Sequence, residues 1–194
     1  MKKWMLFIFI VHFGLLQAQF ASEPSSLVSK NIFQIETGAF FDTYGDKMQS
    51  TQNFAINSTL LRFGLFINVE LRTSWIYNET KFKAKNSTLT DEKISEFSPF
   101  LIGIKGNLFE EKNGFPEISV MSHAYFPFAS KDESAFNANG LDFSFLIAHN
   151  FGKKSNLTYN LGAYWEKGIK ESLYFYTTAY TYTLLDNLVS YIEL

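Results

Sequence analysis

The chain alternates polar and apolar residues along about nine segments, and this alternation limits its fold more than any other feature. In Ile32 to Phe41 and in Val69 to Tyr77, every second side chain is apolar except for one threonine in each segment, and the polar residues lie mostly between them. These segments have about ten residues, whereas strands of soluble proteins average about five or six. About ten residues is the length of a tilted strand that crosses a bilayer. The pattern therefore predicts an all-β fold, an antiparallel up-and-down transmembrane β-barrel.

The connections between the segments are alternately short and long. Short turns are predicted near Asn68, Asn113, Gly152 and Asn187, and a further reversal at Gly168. Long polar gaps are predicted around Gly45 and Asp46, from Asn78 to Ser95 and from Pro127 to Asn139. Bacterial outer-membrane barrels have short periplasmic turns and longer outer loops, so this alternation favours that location. The remaining predicted strands are Phe54 to Leu65, Phe100 to Leu108, Ile118 to Phe126, Leu141 to Ile147, Leu157 to Trp165, Leu173 to Leu184, and a last one ending at Leu194.

The N-terminus has the pattern of an export signal. Lys2 and Lys3 precede an apolar run from Trp4 to Leu16, and the small residue Ala18 follows. The apolar run is short for a membrane-spanning helix, so residues 1–18 are predicted to be a cleaved signal peptide. A retained signal anchor is the alternative. Residues 19–30, with Pro24 and two serines, are interpreted as a flexible periplasmic lead-in, and residues 31–194 as the barrel domain with about eight or nine strands.

Composition excludes several classes of function. The chain has no cysteine, which excludes disulfides, a thiol nucleophile and cysteine-bound metal. Its 17 basic and 19 acidic residues give a formal net charge of −2, so no surface for nucleic acid is predicted. Aromatic residues make up 18% of the chain, which suits the aromatic girdles of a membrane barrel.

Charged residues within the segments lie on the face opposite the Phe and Ile side chains. Charges on a lipid-facing surface cost a few kcal/mol each near the midplane, so a polar lumen accounts for this separation. A soluble β-sandwich with one solvated face would separate its charges too and is kept as an alternative. The predicted lumen-facing residues are Glu36, Arg62, Glu70, Arg72, Lys105, Glu117 and Asp142.

Several strings resemble a known family. They are residues 59–65 (TLLRFGL), 68–72 (NVELR), 98–99 (SP), 108–111 (LFEE), 115–118 (FPEI), 126–128 (FPF) and 159–163 (YNLGA). From about Asn31 to Leu194 the chain is similar to the transporter-like family named for the MetA pathway of phenol degradation. The resemblance implies an outer-membrane β-barrel that passes small, often hydrophobic molecules, and it implies no catalytic motif. Family members usually continue with more strands, and single-chain barrels have even strand numbers, so a truncated C-terminus is expected.

Two interpretations of the charged lumen set stay open. Arg62, Glu70, Arg72, Lys105 and Glu117 form either a constriction that orients a solute or a network in which the charges pair with one another. Ser119 and His123 share a strand face, as a hydrolase pair would, but four residues along a strand separate them. We therefore expect no enzyme activity.

The sequence as a whole predicts a barrel in a bacterial outer membrane, with passive transport of small molecules as its function. A structural or surface-binding barrel without transport is the alternative, and a soluble secreted β protein is the third. The expected partners are outer-membrane lipid and an unidentified small-molecule solute, with no nucleic acid. No cofactor and no metal are expected, because no phosphate loop, dinucleotide fingerprint or metal-ligand cluster occurs.

Overall fold

The described chain is all-β. The computed structural model describes residues 22–45, 49–84, 92–127, 139–186 and 188–194. The predicted signal peptide, residues 1–18, lies outside these ranges. No helix of the described part is long and apolar enough to cross a membrane. The strands are β1 (Phe33–Gly45), β2 (Gln49–Phe66), β3 (Val69–Ala84), β4 (Glu92–Phe97), β5 (Phe100–Phe109), β6 (Glu117–Phe126), β7 (Gly140–Phe151), β8 (Ser155–Glu166), β9 (Leu173–Leu185) and β10 (Leu188–Glu193).

The ten strands form one antiparallel sheet in an up-and-down order. Strands follow one another as β1-β2-β3-β5-β6-β7-β8-β9-β10. β4 pairs with the end of β3, and β5 pairs with its beginning, so β4 and β5 together occupy one position across the sheet. Ser98 and Pro99 separate them. Proline has no N–H to donate to a sheet, which explains why the strand is interrupted there.

The sheet curves into a half-barrel. Ser22 donates its backbone N–H to Glu193 in β10, and Ser26, four residues later, accepts a hydrogen bond from Arg62 in β2. In a flat sheet, the seven spacings between β2 and β10 would cover about 34 Å. Four extended residues cover at most about 14 Å, and two side chains cannot bridge the rest. The up-and-down antiparallel topology is thus confirmed, whereas the described strands form a half-barrel and β1 does not pair with β10 within it.

The two faces of the half-barrel are inverted relative to a water-soluble sheet. The concave or inner face carries polar side chains that are fully buried, among them Glu70, Lys105 and Ser119. The convex or outer face carries apolar side chains that are exposed, and the exposed fraction is 50% for Ile104 and 44% for Phe145. Other exposed apolar or aromatic residues of the sheet are Phe33, Ile35, Phe41, Leu71, Ile102, Leu141, Phe143, Leu161, Trp165, Tyr174 and Tyr176.

Several strands extend further than the alternation predicted. The expected loop from Asn78 to Ser95 is wrong at both ends, because β3 continues to Ala84 and β4 begins at Glu92. Charged residues support this extension, since Glu79 forms ion pairs with Lys81 at 2.8 Å and with Lys93 at 2.6 Å. Backbone pairing does not require an apolar face where a sheet is solvated, so the polar composition hid the strand.

The predicted short turns are confirmed where the structure describes them. Asn113 and Gly114 both have positive φ angles, 54° and 81°, as the two central residues of a type I′ turn require. Gly152 and Gly168 also have positive φ, at 69° and 86°. Asn187 lies outside the described residues.

Candidate functional site

The N-terminal segment, residues 22–30, lies against the inner face. It approaches the sheet at Gly64, which accepts a hydrogen bond from Asn31 N at 2.7 Å and donates one to Ile32 O at 3.0 Å. A Cβ at Gly64 would lie 2.1 Å from the carbonyl oxygen of Ser29. Only glycine permits this close approach of two backbones. Of the expected lead-in, residues 19–30, the structure describes residues 22–30. These residues have specific partners inside the half-barrel.

Glu70 is the buried anion that joins this segment to the sheet. Arg62 donates two hydrogen bonds to it, from Nε at 2.8 Å and from Nη2 at 2.9 Å. The backbone N–H of Val28 donates to Glu70 Oε2 at 2.7 Å. Arg62 and Arg72 face each other across β2 and β3, and the ion pair of Arg72 with Glu70 measures 3.7 Å. Glu70 therefore offsets the repulsion between two buried arginines and also fixes Val28.

Lys105, the cross-strand neighbour of Glu70, also holds the segment. Its Nζ donates to the carbonyl oxygens of Pro24 at 2.6 Å and Ser26 at 2.8 Å, and lies 3.2 Å from Glu23 Oε1. The side chain is wholly buried. Next to it, Ser119 Oγ donates to the carbonyl oxygen of Ser25 at 2.7 Å. An ammonium group with three acceptors has all its protons satisfied, so this buried charge is compensated.

Glu23 is the second anion of the site. Its Oε1 accepts from Arg72 Nη1 at 2.6 Å as well as from Lys105. Burial alone would raise the pKa of Glu23, but the hydrogen bond and charge of Arg72, together with Lys105, hold that pKa below its ordinary value. The carboxylate is therefore the stable form in this position.

The structure brings five of the seven predicted residues into one network. Arg62, Glu70, Arg72 and Lys105 surround the N-terminal segment, and Glu36, half exposed, joins through a 3.1 Å contact with Arg62 Nη1. The other two lie elsewhere on the inner face. Glu117 accepts from Asn107 Nδ2 at 3.2 Å, and Asp142 belongs to a second cluster.

That second cluster centres on the Asp142 carboxylate. It accepts from the backbone N–H of His123 at 2.9 Å and from the Tyr125 hydroxyl at 2.6 Å, and His123 Nδ1 lies 2.9 Å from Oδ2. The His123 ring covers Gly103, where a Cβ would lie 2.1 Å from Cδ2. Tyr125 was not predicted as a site residue, although its place two residues after His123 on the same strand face was a usable signal.

Ser119 and His123 have separate partners. Ser119 Oγ donates to Ser25 O, whereas His123 Nδ1 is bound to Asp142. Ser119 therefore holds the backbone of the N-terminal segment, and His123 holds the neighbouring strand through Asp142. No group of three or more potential metal-binding His, Cys, Asp or Glu side chains occurs among the described residues.

A cavity of about 450 Å³ lies between the N-terminal segment and the inner face of β7, β8 and β9. Its lining combines amide and hydroxyl groups with apolar atoms. The lining residues are Ser22, Pro24, Ser25, Ser26, Glu117, Ala148, Asn150, Asn156, Thr158, Ala179 and Thr181. The segment therefore occupies part of the interior and leaves a space beside it.

The chain matches the model of a known protein family. A family model described as "Putative MetA-pathway of phenol degradation" matches residues 18–192. The chain belongs to this family. The match covers every described strand up to Ile192, so the MetA-pathway resemblance drawn from short strings is confirmed over nearly the whole chain. No curated protein matches the chain.

Proposed function

We propose that this member of the MetA-pathway family is an outer-membrane β-barrel protein of a Gram-negative bacterium that allows small molecules, including hydrophobic ones, to pass passively. In this proposal the chain is exported by a cleaved signal peptide. The observation that carries it is the inversion of the two faces, with buried charges inside and exposed Ile, Phe and Tyr outside. Hydrocarbon lipid around the outer face would remove those side chains from water, which is favourable.

The charge distribution supports the same proposal. The ion pairs of the inner network lie where lipid would not reach them. Other charged residues lie towards the far ends of β3 and β4, where Glu79 and Lys93 form an ion pair. A soluble secreted β protein would instead have to expose a broad apolar surface to water, which soluble monomers rarely do.

Passage of a solute needs space inside the barrel. The cavity beside the N-terminal segment offers about 450 Å³ and a lining able to donate and accept hydrogen bonds. We propose this space as part of the route. The same segment favours a second function, a structural or surface-binding barrel without transport, because residues 22–30 are fixed in the interior by Lys105 and Glu70.

Solute flux distinguishes these functions. The full chain is reconstituted in liposomes, and the swelling rate is measured in isotonic solutions of sorbitol and sodium gluconate. A protein-dependent rate supports passive transport, whereas intact inserted protein with the rate of empty liposomes supports the structural barrel. A variant with Arg72→Ala and Lys105→Ala, which removes two anchors of the segment, serves as a comparison. We propose no catalytic role.

A further inference from the structure

The interior network contains the carboxylate of Glu23, which belongs to the N-terminal segment and not to the sheet. Glu23 precedes every strand that the structure describes, yet its Oε1 contacts Arg72 in β3 and Lys105 in β5. The side chains of Arg72 and Lys105 are 4% and 0% exposed. The sheet therefore supplies two buried cations, and a segment outside the sheet supplies their anion.

The charge balance of the network depends on this tethered anion. The sheet contributes three cations, Arg62, Arg72 and Lys105, and the anions Glu70 and Glu36. Glu70 accepts two hydrogen bonds from Arg62, and Glu36 contacts Arg62 as well. Without Glu23, Arg72 would keep the 3.7 Å ion pair with Glu70 and a 3.0 Å contact with the sulfur of Met121. Lys105 would then lack its ion-pair partner and Arg72 would keep only the longer pair, and an uncompensated buried charge is strongly unfavourable.

Glu23 serves both cations of the site with a single oxygen, Oε1. Carboxylates bind cationic donors best when both oxygens accept hydrogen bonds. The tethered side chain does not use that geometry with Arg72 and Lys105. The Nε–H of Arg72 belongs to the other edge of the guanidinium, where it is buried without a hydrogen bond, 3.7 Å from Glu70 Oε1.

We propose that Arg72 and Lys105 form a binding site for the carboxylate group of a small solute, and that Glu23 occupies this site in its absence. A free carboxylate is not restricted by the chain, so each of its two oxygens can accept a hydrogen bond from a different one of the two cations, which Glu23 serves with one oxygen. Solute and Glu23 then compete for the same two cations. The assignment of this site to transported solutes rests on the function proposed above, whereas the binding of carboxylate does not.

Chemical rescue tests the site directly. Glu23→Ala removes a CH₂–COO⁻ group, whose free counterpart is acetate. We expect Glu23→Ala in detergent micelles to unfold at a lower temperature than the wild type, and acetate to restore most of the difference at constant chloride. Acetamide has the same shape without the charge and should restore none. In a Glu23→Ala, Arg72→Gln double variant, the acetate concentration that gives half of the effect should rise at least tenfold.

Glu36→Ala is the matched control. Glu36 is also a carboxylate bound to a buried arginine, but it is half exposed and does not contact Arg72 or Lys105. Acetate should therefore leave the unfolding temperature of Glu36→Ala unchanged. An equal acetate effect on both variants, or an equal effect of acetamide on Glu23→Ala, would overturn the site. If Glu23→Ala does not refold alone, its refolding yield is compared in acetate and in acetamide. A higher yield in acetate supports the site, and equal yields overturn it.

The swelling assay then separates this site from the proposed transport. Rescue by acetate without any flux of sorbitol or gluconate establishes the carboxylate site and contradicts transport. Flux that is equal for sorbitol and gluconate, without rescue, leaves transport standing and overturns the site. Both together, with gluconate flux increased in Glu23→Ala, support the site as part of the route.

Discussion

Lys105 Nζ lies 3.2 Å from Glu23 Oε1, although 82 residues separate the two in sequence. The contact joins the centre of the sheet to the segment that precedes its first strand. It belongs to a network in which Lys105, Glu70 and Arg72 are nearly or wholly buried. The inner face of this half-barrel is consequently held together by charge, and its stability should respond to pH and to single carboxylate changes.

Glu70→Gln should be strongly destabilising. The change removes the anion from a buried pair and leaves Arg62 with the half-exposed Glu36 as its nearest carboxylate. Breaking a buried pair in this way costs about 3 kcal/mol or more. Denaturant unfolding in micelles, followed by circular dichroism, measures the loss. Glu79→Gln, which alters an exposed ion-pair cluster, is the control and should leave the midpoint nearly unchanged.

Gly64→Ala should displace the N-terminal segment. The added methyl would lie 2.1 Å from Ser29 O and 2.6 Å from Val28 O, so the segment or β2 has to shift. Overpacking of this kind costs about 1–3 kcal/mol. A protease that cuts between residues 22 and 30 should cleave this variant faster than the wild type. Gly38→Ala, where the added methyl meets no atom within 4 Å, should be cleaved at the wild-type rate.

Acid should release the same segment. The pKa of Glu23 is lowered in the folded state, so its contribution is fully present above the ordinary value of 4.5 and is lost as pH falls through the lowered pKa. Because the chain has no cysteine, a single Ser26→Cys variant carries an environment-sensitive fluorophore on an exposed side chain. Its signal should change reversibly below pH 4.5. Adding Glu23→Gln should remove that transition, and an identical transition in both proteins would contradict the assignment.

Tyr125→Phe should weaken the second cluster by about 2 kcal/mol. Its hydroxyl donates to the Asp142 carboxylate at 2.6 Å, and hydrogen bonds to charged groups contribute about 1.5–3 kcal/mol. The denaturant midpoint of the variant reports this loss. Tyr174→Phe removes a hydroxyl from an outer-face side chain that is 78% exposed, and an equal loss there would show that the Asp142 contact is unimportant.

The outer face should not tolerate charge. Ile104→Arg places a guanidinium in the middle of the exposed apolar surface, where lipid would make it cost about 2–4 kcal/mol. Ile94→Arg makes the same change at a comparably exposed residue of the polar β4 extension. Refolding yield into lipid vesicles should fall for the first variant and not for the second. Equal yields would argue that the two sites meet the same solvent.

Local patterns predicted the strands, and long-range pairing accounts for what they missed. Alternation in Val69 to Tyr77 fixed which residues share a face with Glu70, because side chains of a strand point alternately to opposite sides. The position of Glu23 had no such signal, since a short polar segment with a proline carries no periodicity. Gly64 was the one available sign, because a glycine inside a strand often marks the close approach of another backbone.

Tryptophan quenching measures whether the outer face contacts lipid. Trp165 lies on that face and is 45% exposed. With Trp4 and Trp75 replaced by Phe, the fluorescence of the chain in vesicles reports from Trp165 alone. If the outer face lies in lipid, Trp165 should be quenched strongly by lipids brominated on the upper acyl chain and little by aqueous iodide. Quenching by iodide with none by brominated lipid would contradict it.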